Sequence, residues 1–171
     1  MSKVKNYLKW ILPGYNLSKK IYLLYKISNY FCIKKVKFIS HYLNYKLYKK
    51  YKCCISPRAS IQDGIIFPHP VGIVIGEGVE IGKNALIYQN VTLGRKYSEI
   101  AEYPKIGDNV IIYANTTIIG NVSIGNNAVI GCNSVILRDV KDGEKVSGVV
   151  KWKIVWVILK KILYIILYIR F

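Results

Sequence analysis

His69 is the one histidine in the central part of this chain, and it stands between two prolines in Phe67-Pro68-His69-Pro70. A neutral imidazole titrates near physiological pH and can take the proton of a hydroxyl as its oxygen attacks an electrophile. Its place at a break in an otherwise regular pattern favours a catalytic histidine over a satisfied turn residue. Polar residues recur nearby at what read as turn positions: Glu77, Gln89 and Asn90. The other histidine, His41, falls in a stretch with helical spacing. A three-histidine zinc site of the catalytic kind is out of reach, so no metal is expected.

The elements that must position His69 are announced by a six-residue period. Ile55, Ile61, Phe67 and Ile73 form a first run, and Ile75, Ile81, Ile87 and Leu93 a second, displaced by two residues. A third run reads Ile106, Ile112, Ile118, Ile124, Ile130, Ile136. A small or β-branched residue follows most anchors four places later, and glycine often follows directly. Six fits neither the 3.6-residue helix nor simple strand alternation. It fits a parallel β-helix, in which each hexad is a short strand and a turn and three hexads close one coil. The displacement between the first two runs falls at His69, where function is expected.

Net charge is +17 over 171 residues, but the charges are not evenly spread. Residues 1–52 hold thirteen lysines and no acid, residues 145–171 six basic residues and no acid, and the segment between them seven basic and nine acidic residues. The repeat region is nearly neutral and the ends carry the basic character. Three regions follow: a basic amphipathic helical region over 1–52, a β-helix domain over 53–150, and an apolar, basic helical tail over 151–171. Leu17–Phe31 and Lys34–Tyr51 have helical spacing, with Ser18 as a cap for the first helix, and a shorter helix is expected over 1–16, ending at Pro13-Gly14. Residues 94–105 (GRKYSEIAEYPK) interrupt the hexads and should loop out from a corner of the stack.

The first apolar stretch is short, carries Lys9 and stops at Pro13-Gly14, which argues against a secretory signal and for the cytoplasm. Four cysteines without a CxxC pair read as free thiols in a reducing compartment. In the tail, Lys160-Lys161 divides the apolar blocks, so neither reaches spanning length. Its tryptophans and tyrosines suit either the membrane interface or packing on the protein. Fifty-two residues without an acid point to an anionic partner at the N-terminal end, with lipid headgroups ahead of nucleic acid.

Three stretches carry a family resemblance: FPHPVGIVIGEGVEIGKNALIYQNVTLG (67–94), YPKIGDNV (103–110) and IIGNVSIGNNAVIGCNSVILRDV (118–140). Over about residues 53–150 the chain resembles hexapeptide-repeat serine O-acetyltransferases, and more closely their relatives in exopolysaccharide synthesis such as the colanic acid acetyltransferases. The resemblance implies a mainly β, left-handed parallel β-helix that assembles as a trimer, with acetyl-CoA in a groove between subunits. It implies His69 as general base and Glu77 beside it, Gln89, Asn90 and Tyr103 towards the acceptor, and Gly94, Ala114, Ser134 and Arg138 towards the acyl donor. Three positions depart from the serine enzymes: Cys54 stands where an aspartate backs the histidine, Pro68 where an aspartate grips the amino acid, and Tyr103 where a second histidine lies. These departures favour a sugar hydroxyl of a surface-polysaccharide precursor as acceptor. Serine O-acetylation is the alternative, and a non-catalytic, membrane-docked scaffold a second one.

Overall fold

The computed structural model describes residues 13–97 and 101–151. The helix expected before Pro13 and the tail beyond Lys151 lie outside these residues.

Two helices precede the repeats, α1 (Pro13–Ile33) and α2 (Lys37–Tyr51). Proline is accommodated at a helix start, where its missing N–H has no partner to lose. Pro13-Gly14 therefore opens α1, whereas the sequence reading had it close an earlier helix. The helices meet at a buried pair, where the Ser28 Oγ donates to the Ser40 carbonyl at 3.0 Å. Lys52 takes the left-handed conformation and returns its N–H to the Tyr48 carbonyl, which ends α2.

From Cys54 onward the described residues form fourteen strands of two or three residues, all in parallel pairings. They build three walls of a left-handed parallel β-helix. The first wall is β1 (Cys54–Ile55), β3 (Val74–Ile75), β6 (Thr92–Gly94), β9 (Thr117–Ile119), β12 (Val135–Ile136) and β14 (Val149–Val150). The second is β2 (Ser60–Ile61), β4 (Glu80–Ile81), β7 (Lys105–Ile106) and β10 (Ser123–Ile124). The third is β5 (Leu86–Ile87), β8 (Ile111–Ile112), β11 (Val129–Ile130) and β13 (Lys145–Val146).

The hexad anchors point inward, and every one of them is buried. So are the small residues between them, from Val79 to Ser134. Corner residues need a positive φ, which asparagine tolerates better than other non-glycine residues. Asn90, Asn115 and Asn133 fill one column at φ 57, 59 and 54°, and Asn84, Asn109 and Asn127 another. Each column is tied along its length. Asn90 Nδ2 donates to Asn115 Oδ1, and Asn115 Nδ2 to Asn133 Oδ1, both at 3.0 Å. Glycine takes over where each column ends, at Gly64 and Gly72 below and Gly143 and Gly148 above.

Register shows where the coils depart from eighteen residues. Ile75 pairs with Leu93, but Ile55 pairs with Ile75, two residues further on, and the extra pair lies in the turn that holds His69. Leu93 pairs with Ile118, and the surplus there is the expected corner loop. At the far end Ile130 pairs with Val146 and Ile136 with Val150, a shortened last coil that the hexads do not announce.

The first coil has no coil beneath it, and α1 takes that place. Tyr25 Oη donates to the Ala59 carbonyl at 2.6 Å and accepts the Ile61 N–H at 3.2 Å. Asn29 Nδ2 donates to the Pro57 carbonyl, and Tyr22 Oη to Asp63 Oδ1 and the Gln62 carbonyl. Ser18, expected as a helix cap, lies buried inside α1 and accepts the Phe67 N–H at 2.8 Å. Among the described residues no helix is long and apolar enough to cross a membrane. Tyr25→Phe keeps the ring and strands two backbone groups. It should cost about 1–3 kcal/mol, read as a lower urea midpoint at unchanged m-value; an unchanged midpoint would refute the capping role.

Candidate active site

His69 sits in the enlarged turn that enters β3, and its side chain is exposed. The turn is pinned from three directions. Below it, Ser18 holds the Phe67 N–H and the buried Cys53 thiol donates to the Pro70 carbonyl at 3.3 Å. Beside it, the Gly72 N–H donates to the Lys52 carbonyl at the end of α2. Above it, the Asn90 N–H donates to the Val71 carbonyl at 2.9 Å. Burial pushes the Cys53 thiol above its ordinary pKa, which keeps it protonated and a donor. Sequence reasoning took Ser18 for a helix cap and Cys53 for one of four free thiols, and saw neither as a brace of this turn.

The imidazole nitrogens have no hydrogen-bond partner among the described residues. The ring lies 6.2 Å from the ring of Tyr88, which stacks on Tyr113 at 5.0 Å. An exposed imidazole with both nitrogens open is free to accept a proton from a bound hydroxyl. Cys54 lies exposed at the start of β1, paired with Val74, and no carboxylate is bonded to the ring among the described residues.

Glu77, expected beside His69, faces elsewhere. It lies in the turn that leaves β3 and gives its carboxylate to Arg58 Nη1 and Tyr103 Oη, each at 3.1 Å. The Tyr103 ring rests on the backbone of Gly76 and Gly78, where a Cβ at Gly78 would collide with it. Loss of hydration first, then the bond to Glu77, raises the Tyr103 phenol above its ordinary pKa. Tyr103 thus fastens the end of the corner loop to the turn leaving β3. Arg58 was missed in the sequence, because its pairing with Glu77 one coil on follows only from the register.

Gln89 and Asn90 occupy the corner above His69. Asn90 is committed to its asparagine column through its side-chain amide. The Gln89 Oε1 is buried and unpartnered, an acceptor without a donor among the described residues. Gly94 ends β6 with open space where a Cβ would stand. The Ala114 carbonyl accepts the Asn133 N–H, while its own N–H has no partner among the described residues. Ser134 is buried; its hydroxyl donates to the Gly131 carbonyl at 2.6 Å and accepts the Gly148 N–H at 3.1 Å. Arg138, expected to meet phosphate, spends its guanidinium on Glu144 at 3.0 Å and on the Asp139 carbonyl. That guanidinium, with the Lys141 N–H, holds the Glu144 carboxyl below its ordinary range. No three metal-ligating side chains come together among the described residues.

Stacked three-walled coils, a corner loop and an exposed histidine in an enlarged turn define a left-handed parallel β-helix of six-residue repeats. Residues 103–138 match the family described as bacterial transferase hexapeptide (six repeats). The chain is 41% identical over 70 residues to a serine acetyltransferase of Buchnera aphidicola subsp. Schizaphis graminum, covering 41% of this chain and 27% of that one. It is 37% identical over 70 residues to the Haemophilus influenzae serine acetyltransferase, covering 41% and 26%. Among solved structures, the Neisseria gonorrhoeae serine acetyltransferase in complex with serine superposes with a TM-score of 0.73 at 33% identity, covering 83% of this chain and 58% of that one. A serine acetyltransferase in complex with CoA gives 0.70 at 34% identity, covering 75% and 53%. This chain spans about a quarter of the length of those sequence relatives and a little over half of those solved structures. Nothing among these relatives points to the exopolysaccharide branch.

Tyr103→Phe removes the bond to Glu77 and keeps the ring. Loosening the loop should speed tryptic cleavage at Arg95 and Lys96 by about tenfold with cleavage elsewhere unchanged. Equal loop cleavage in the two proteins would show that the hydroxyl does not fasten it.

Proposed function

We propose that this protein transfers the acetyl group of acetyl-CoA to a hydroxyl, with His69 as general base. The observation that supports it most is the exposed, unpartnered imidazole of His69 in a turn braced by Ser18, Cys53, Lys52 and Asn90. A His69 nitrogen takes the hydroxyl proton as the oxygen attacks the thioester carbonyl. The carbon–sulfur bond breaks, and the imidazolium returns its proton to the departing thiolate. Products are the O-acetyl ester and CoA, with no covalent enzyme intermediate. The donor side finds space over Gly94 and an open N–H at Ala114, both compatible with a pantetheine amide chain. Arg138 is not assigned to the CoA phosphates here, because Glu144 already holds it.

L-serine is the acceptor this reading puts first, since the relatives above are serine acetyltransferases. A sugar hydroxyl is the second reading. It is supported by Pro68 next to the base and by Tyr103, whose hydroxyl is occupied by Glu77, because neither offers the charge that would grip an amino acid. The proposal includes a trimer. The third wall turns Ile66, Leu86, Ile111 and Val129 outward beside Tyr88 and Tyr113, an apolar surface for a second copy close to His69. It also includes a cytoplasmic location, in keeping with four free cysteines, and peripheral contact with its membrane.

Purified protein should acetylate L-serine with acetyl-CoA, and His69→Ala should lower turnover by about 10²–10⁴-fold without changing the thermal midpoint. Product mass over a panel of serine and sugar acceptors separates the two readings. Equal thioester cleavage by wild type and His69→Ala would leave the β-helix as a scaffold.

A further inference from the structure

The most unusual surface of the molecule is the outer side of its helical hairpin. Helix α2 buries little: Ser40 and Leu47 are its buried residues. Its other face carries Phe38, Tyr42 and Tyr45, which the spacing of four and three places on one stripe. Phe38 is 84% exposed and each of the two tyrosines 56%. Just before them, the end of α1 exposes Ile33, at 68%, and the turn that follows exposes Val36. Lys34, Lys35 and Lys37 alternate with these apolar residues. A soluble helix normally reverses this arrangement, hiding its aromatic residues and showing its polar ones.

The lysines are matched to the rings. Lys46 lies 6.0 Å from the Tyr42 ring and Lys49 5.8 Å from the Tyr45 ring. Residues 1–52 contain no aspartate or glutamate, and of the ion pairs among the described residues, in which Lys26 of α1 holds Asp63, none takes a lysine of α2 or of the turn before it.

We propose that the α1–α2 turn and the outer face of α2 form a docking surface for an anionic lipid bilayer. Ile33, Val36 and Phe38 enter the boundary between headgroups and acyl chains, the tyrosines lie at headgroup level, and the lysines meet the lipid phosphates. Complementary charge selects this occupant: a basic, acid-free surface studded with aromatic rings matches an apolar layer under a sheet of anions. Single-stranded nucleic acid fits less well, because such strands are held in grooves with open ring faces. Here the surface is a convex helix, and lysines already lie near the tyrosine rings. The docking surface is built from α2 and its preceding turn, whereas His69 is in the turn entering β3, so lipid binding is independent of the chemistry proposed above.

Sedimentation of the full chain with vesicles of phosphatidylglycerol and phosphatidylcholine, against pure phosphatidylcholine, tests this. Wild type should bind the anionic vesicles, release them as salt rises, and leave neutral vesicles in the supernatant. A triple variant, Phe38→Ser with Tyr42→Ser and Tyr45→Ser, should bind about tenfold or more weakly. A charge variant, Lys34→Glu with Lys35→Glu and Lys37→Glu, should do the same. All six positions lie outside the proposed active site, so acetyl transfer in solution should be unchanged in both, which also reports that they fold. The proposal is overturned if wild type ignores anionic vesicles or binds neutral ones equally. Unchanged binding by the two variants, which would assign it to the terminal segments, or tighter binding to a single-stranded oligonucleotide than to vesicles, overturns it as well.

Discussion

A parallel β-helix satisfies its backbone by stacking, so each coil depends on the next and the lowest coil lacks a neighbour. In this protein that lack is met by side chains of α1. Tyr25 alone serves a carbonyl and an N–H of the first coil, Asn29, Tyr22 and Ser18 serve three more of its backbone groups between them, and Tyr22 also bonds the Asp63 carboxylate. An uncapped end would expose a row of unpaired groups ready to pair with another chain. The helices thus close the fold, and the same contacts brace the turn that holds His69. Stability of the first coil and geometry of the proposed base are one problem with one solution.

The stacking rule also decides where chemistry can be placed. An extra residue within a wall would turn every following anchor outward, so additions are confined to corners. Two occur, and they bracket β3: the enlarged His69 turn enters it, and the Gly76-Glu77-Gly78 turn that leaves it receives the end of the corner loop through Tyr103. The asparagine columns hold the unaltered corners to a uniform φ, which keeps the additions local.

Much of this was legible in the sequence because one side chain per hexad has a single destination. Every anchor read from the period is buried, and the displaced register falls at His69 as the count indicated. The last coil was not legible, since Val140, Val146 and Val150 pair at shorter intervals than six allows. Ser18 misled because a serine near a helix start reads as a cap, and only the true start at Pro13 moves it inside α1. The Arg138 pairing was not legible either, since its bond to Glu144 six residues on depends on how the final corner folds. Pairings between coils, such as Arg58 with Glu77, need the register before they can be seen.

The proposed base and the positions expected to set the acceptor rest on different parts of this arrangement. His69 is held by backbone contacts and by side chains beneath and beside the turn, none of which senses the acceptor. The positions expected to depart from the serine enzymes, Cys54, Pro68 and Tyr103, lie around β1 and β3, and none of the contacts that brace the turn is made by their side chains. Of the three, Tyr103 has the clearest consequence. Its ring needs glycine at 76 and 78 to lie flat, and its hydroxyl then consumes one oxygen of Glu77 while Arg58 consumes the other. The Glu77 carboxylate is therefore shared between a side chain of the first coil and the end of the corner loop, and it ties the two together. The Gln89 Oε1, in the corner above His69, is buried and without a hydrogen-bond partner among the described residues, an acceptor the fold itself leaves open.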